Sequence, residues 1–83
     1  LYQNEPNPFK GTTLIGYDLP TAGDVTLTIF DVTGKVVFVK DQESVKGYNT
    51  ISVSSKDIPS VGVLYYRLDA NEYSATKKMI IIE

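Results

Sequence analysis

The side chains in this sequence able to carry acid–base or covalent chemistry are few in kind. Of the six aspartates in its 83 residues, five stand out, Asp18, Asp24, Asp31, Asp57 and Asp69. Two carboxylates held about 5–10 Å apart would suit glycoside hydrolysis, one protonating the leaving oxygen while the other attacks or activates water. Asp is also a usual residue of turns and strand exits, and all five stand at strand ends or in loops, so the conformational reading outweighs the catalytic one. The sequence has no His and no Cys. That removes the Ser-His-Asp constellation, the thiol nucleophile, zinc sites of the common kinds and any disulfide framework. Asp31-Val32-Thr33-Gly34 is not the contiguous Asp-Thr-Gly of aspartic proteases, and it lacks the spaced oxygen ligands and closing Glu of a calcium loop. Asp31 and Gly34 are expected to shape a turn. No catalytic residue, metal ligand or cofactor is expected, and the chain does not read as an enzyme.

Binding chemistry is better represented. Six Tyr and three Phe supply stacking surface, and Tyr17, Tyr48, Tyr65 and Tyr73 together could make a sugar platform. Trp, the widest stacking surface, is missing, and Tyr is at home in half-buried strands. Near the C-terminus Lys77 and Lys78 precede the apolar run Met79-Ile80-Ile81-Ile82. In a strand Met79 and Ile81 face one side, Ile80 and Ile82 the other. A small two-sheet domain covers one face of a strand with its own core, so one of these pairs is left for water or for a partner. The lysines read either as gatekeepers of a strand tucked under a loop or as part of a recognised tail. Two of them supply too little charge for membrane-surface binding, at about 1 kcal/mol each. A terminal strand apolar on both faces suits addition to a partner's sheet edge or docking in a groove. The net charge of −2 and the lack of any Lys/Arg-rich tract give no footprint for nucleic acid. No apolar run approaches a membrane span, and any export signal is expected to belong to a longer precursor.

The elements that must position these residues are short strands. A chain of this length holds one domain, 1–83, with one core. Residues 1–11 carry Pro6 and Pro8 around Asn7, which bars a helix or a central strand. They are expected to form an extended opening segment with Leu1, Tyr2 and Phe9 laid against the sandwich. A strand over 12–19 puts Leu14 on one face and Ile15 and Tyr17 on the other. After turn residues at 20–24, Val25, Leu27 and Ile29 alternate with Thr26 and Thr28, which predicts one buried and one wet face. A hairpin partner over 35–40 would place Val37 and Val39 on one face and Val36 and Phe38 on the other, followed by a polar loop at 41–46. Ile51 and Val53 mark a further strand, Ile58 reaches inward from a connection, and 62–69 sets Leu64, Tyr66 and Leu68 opposite Val63, Tyr65 and Arg67. Turn signals every eight to twelve residues and no helical period predict an all-β fold, an immunoglobulin-like antiparallel β-sandwich of about seven short strands over 12–83.

Four stretches, LYQNEPNPF at 1–9, YDLPTAGDVTLTIFDVTGKVV at 17–37, GVLYYRL at 62–68 and ATKKMIIIE at 75–83, lie in order along the chain. Together they resemble the type A C-terminal sorting domain of the Bacteroidetes type IX, or Por, secretion system. The resemblance implies a protein-transport label that follows an upstream cargo such as a protease, glycosidase or adhesin in one precursor. Such a precursor reaches the periplasm by a separate N-terminal signal, and its folded C-terminal domain is recognised by the outer-membrane type IX translocon. A sortase-like cysteine peptidase at the cell surface typically removes the domain and joins the cargo to anionic lipopolysaccharide; other cargo is secreted free. By the same resemblance, Gly62 and Tyr66 match the Gly-x-Tyr-like strand region, and Lys77, Lys78, Met79, Ile80, Ile81 and Ile82 match the tail read by the translocon. Pro6, Asn7, Pro8 and Phe9 match the structural opening. Val61 departs from the pattern as a one-residue insertion in a Pro-Ser-Gly run. The competing reading is a β-sandwich module for glycan binding or adhesion.

Overall fold

The computed structural model describes residues 1–71 and 73–83. Its strands are β1 (Thr12–Leu19), β2 (Gly23–Phe30), β3 (Val36–Ser44), β4 (Gly47–Ser54), β5 (Gly62–Ala70) and β6 (Tyr73–Ile81), with one 3₁₀ turn at Ser55–Asp57. β1 pairs with β4 in a small sheet, and β3-β2-β5-β6 form a larger one, all antiparallel. The fold is therefore the all-β sandwich that the alternation predicts, with six regular strands and an opening segment joined irregularly to both sheets.

Alternation places the core. Ile15, Tyr17 and Leu19 of β1 and Ile51 and Val53 of β4 face Val25, Leu27 and Ile29 of β2, Leu64, Tyr66 and Leu68 of β5, and Met79 and Ile81 of β6. Phe9 and Ile58 close the ends of this cluster. Each such side chain contributes about 1.5–3 kcal/mol by leaving water. Leu14, on the other face of β1, is 49% exposed, and Leu64 faces inward despite the extra Val61. The buried Tyr17 hydroxyl is satisfied, sharing a hydrogen bond with Ser44 Oγ and accepting one from Gln42 Nε2 at 3.0 Å.

Three local expectations are corrected. Thr28 is only 7% exposed, because β2 is a central strand and Val39 and Arg67 flank it from both neighbours. The polar residues 41–44 are not loop but the second half of β3, with Asp41, Gln42 and Glu43 opposite Thr26, Val25 and Asp24. An edge strand tolerates such polar residues, since their backbones pair while Asp41 and Glu43 stay wet and Gln42 and the buried Ser44 bond the Tyr17 hydroxyl. A register shift between Ile29 and Phe30 sets Phe38 opposite Ile29 and Val36 opposite Phe30. The bulge brings Val37 and Phe38 together onto the margin of the core and leaves Val36 and Val39 exposed, where strict alternation would have separated the two pairs differently.

Candidate functional site

Strand β6 is paired to β5 along its whole length, from Ala70↔Tyr73 to Gly62↔Ile81. Met79 and Ile81 are the pair that enters the core. Ile80 is half-buried on the outer face beside Val63, and Ile82, one residue past the strand, is 49% exposed. The period of two also parts the lysines. Lys77 lies opposite Tyr66 in the same row as Met79 and Ile81, half-buried at the margin of the core. Lys78 lies opposite Tyr65 on the outer face and is exposed. The outer row therefore reads Lys78, Ile80, Ile82, and it continues across the sheet into Val63, Tyr65 and Phe30. The Tyr65 and Phe30 rings stack at 5.8 Å between centroids and 22° between planes. The Arg67 guanidinium sits 5.9 Å from the Phe30 ring centroid, and Arg67 pairs with Asp69 at 3.0 Å. This hydrogen bond from Arg67 holds the Asp69 carboxyl below its ordinary value. The result is an apolar stripe edged by charge.

The opening segment locks the tail from the other side. Tyr2 N–H donates to Gly16 O at 2.9 Å, and Glu5 and Leu14 exchange backbone hydrogen bonds at 2.9 and 2.8 Å, so residues 2–5 run antiparallel to β1. Beyond Pro6, Asn7 and Pro8 the segment crosses to β6 and pairs with it in parallel at Phe9 and Ile81. Phe9 N–H donates to Ile80 O and Ile82 N–H to Phe9 O, both at 2.9 Å. Asn7 Oδ1 accepts from Ile80 N–H at 2.9 Å, and Gln3 Nε2 donates to Lys78 O at 2.7 Å. Beneath this seam the Tyr66 hydroxyl accepts from Asn4 N–H at 3.0 Å and donates to Tyr2 O at 2.8 Å. Burial pushes the Tyr66 phenol above its ordinary value. Asn4 is itself buried, donating from Nδ2 to Thr13 Oγ1 at 3.1 Å and to Pro6 O at 3.2 Å.

Among the residues singled out in the sequence, Tyr66, Met79 and Ile81 thus lie inside, while Lys78, Ile80 and Ile82 share the outer face. Gly62 opens β5 opposite Ile81 with φ +95°, a region that side chains with a Cβ rarely adopt. Asp31 Oδ1 accepts from Thr33 N–H at 2.9 Å, Thr33 Oγ1 at 2.6 Å and Lys35 N–H at 3.0 Å. Gly34 completes that turn at φ +90°. The Thr33 hydroxyl, first among these donors, holds the Asp31 carboxyl below its ordinary value. Tyr2 is corrected from an apolar anchor to a half-exposed residue. Its backbone pairs with β1, so its ring turns outward, tilted against Tyr48 at 5.9 Å, and its hydroxyl donates to the Asp18 carboxylate, which raises the phenol's pKa.

The four-tyrosine platform does not assemble. Tyr17 is buried in the core, Tyr48 is on the small sheet, Tyr65 is on the outer face of the large sheet, and Tyr73 is at the start of β6. Among the described residues no group of three or more His, Cys, Asp or Glu side chains is placed to hold a metal, and no helix is long and apolar enough to cross a membrane. Sequence reading missed Gln3 and Asn4. Their tertiary hydrogen bonds leave no periodic signal, although a polar run that precedes two prolines and still ends in a core Phe hints at an anchored backbone.

The family model for the secretion system C-terminal sorting domain matches residues 5–82. No curated protein and no solved structure matches the chain.

Proposed function

The chain belongs to the secretion system C-terminal sorting domain family, and from that membership we propose that it labels an upstream cargo in the same precursor for passage through the type IX outer-membrane translocon. The domain travels through the periplasm, and a sortase-like cysteine peptidase removes it at the cell surface, leaving the cargo surface-bound or secreted. The observation that supports a readable tail is the division of labour within β6. Met79 and Ile81 root the strand in the core while Lys78, Ile80 and Ile82 stand on the outer face. In this reading the three outer residues touch the translocon. Tyr66 and Gly62 shape β5 beside the tail, and Lys77 covers the margin of the core with its aliphatic stem. The glycan alternative has less support, because its tyrosines lie apart.

The test is a fusion of these 83 residues behind a periplasm-directed fluorescent reporter, in a bacterium carrying this secretion system. The unchanged fusion is expected at the surface or in the medium. A fusion with Lys78→Ala and Ile82→Ser is expected to fold, since exposed substitutions change stability by about 0.5 kcal/mol or less, yet to stay in the periplasm. Export of the doubly substituted fusion at the unchanged level would refute recognition through the outer row.

A further inference from the structure

A terminal strand at a sheet edge normally offers its unpaired backbone groups to any incoming strand. The end of β6 does not. Lys78 O is taken by Gln3 Nε2, Ile80 N–H by Asn7 Oδ1, Ile80 O by Phe9 N–H, and Ile82 N–H by Phe9 O. All four lie within the stretch read as the sorting tail, and all four partners come from residues 3–9. The segment is itself held down at several points. Phe9 is 1% exposed, Asn4 is buried with its side chain fully engaged, and the Tyr66 hydroxyl grips the backbone at residues 2 and 4.

We propose that residues 3–9 are a clamp that closes the backbone edge of the tail, so that the partner reads the outer side chains of a fixed strand and does not add a strand of its own. The inference rests on the sorting reading for its partner and on geometry alone for the clamp. It makes the signal two-ended. Asn7 and Phe9 are positioning residues, acting through Ile80 and Ile82 without touching the partner, and a tail without the clamp is held by β5 on one side alone, with its end free to fray. Ordering it again on binding would cost conformational entropy, which a pre-formed strand has already lost.

Asn7→Ala tests this, because it removes one acceptor and leaves the core intact. Asn7→Asp is the conservative control, since it keeps an acceptor oxygen at the same place. Amide hydrogen exchange on the 83-residue chain is the first readout, and export of the reporter fusion is the second. With Asn7→Ala the Ile80 amide is expected to exchange about five- to tenfold faster, as befits one lost hydrogen bond, while the Leu27 and Ile29 amides are unchanged. Export is expected to fall, and Asn7→Asp to restore both. Gln3→Ala, which frees Lys78 O and also takes the donor from the buried Asn4 Oδ1, is expected to lower export in the same direction. An Ile80 amide indifferent to Asn7→Ala overturns the clamp. Unchanged or increased export with a deprotected Ile80 amide overturns its role in recognition, an increase meaning that the segment masks the tail. An unchanged fusion that never leaves the periplasm overturns the sorting reading and the recognition role that depends on it. In that case the exchange measurement still decides the clamp.

Discussion

At the scale of single residues, Asp31 and Tyr66 are fixed by hydrogen bonds that can be tested in solution. The Asp31 carboxyl is lowered from 3.8 by its donors, so the ionised form is favoured in the folded chain. Its stabilising effect is complete above that value and is lost as pH falls through the lower folded one. Urea unfolding followed against pH should show stability dropping below about pH 3.8. The drop should be shallower in Asp31→Asn, with a remainder from Asp69, which Arg67 holds down. Tyr66→Phe keeps the ring and removes the hydroxyl, leaving Asn4 N–H buried without its acceptor. A loss of about 1–3 kcal/mol is expected, seen as a fall in Tm of about 4–8 °C per kcal/mol for a domain this small. These two residues also differ in how visible they were. Asp31 acts within four positions of itself, so its turn was readable from the sequence. Tyr66 acts across 62 and 64 positions, and no local pattern carries such a contact.

At the scale of elements, β6 is one strand with two unlike faces, and substitutions on them should separate cleanly. Met79→Ala or Ile81→Ala is expected to cost about 2–5 kcal/mol, as usual for a large core side chain. Lys78→Ala should stay within about 0.5 kcal/mol. Chemical denaturation of the single variants distinguishes these outcomes. Period-two alternation made this much legible: the facing of β1, β2, β4 and β5 follows from it, as does the sharing of β6 between inside and outside. The choice of which pair goes inside was not legible, because Met79/Ile81 and Ile80/Ile82 are equally apolar. The register to β5 decides it by setting Met79 beside Leu64. The bulge between Ile29 and Phe30 likewise has no signature in composition, and the polar half of β3 looked like loop because an edge strand need not be apolar.

At the scale of the whole molecule, the opening segment and the tail complete one another, and the core depends on both. A chain ending at Thr76 would lose Met79 and Ile81 from the core and the partner strand for 62–66 of β5. It is expected to be largely unfolded by circular dichroism, so point substitutions and not truncation must separate folding from recognition. Removing residues 1–9 should be nearly as damaging, since it strips Phe9 from the core and uncovers the backbones of both β1 and β6. The parallel pairing of Phe9 with Ile81 has a mechanical consequence as well. Two segments that run in the same direction, one leading in from the N-terminal side and one leading out to the C-terminus, are sheared when the chain is pulled by its ends. Shear loads the bonds Phe9–Ile80 and Ile82–Phe9 together, whereas peeling would break them in turn. Tension applied between the two ends of the chain would therefore load this seam in shear.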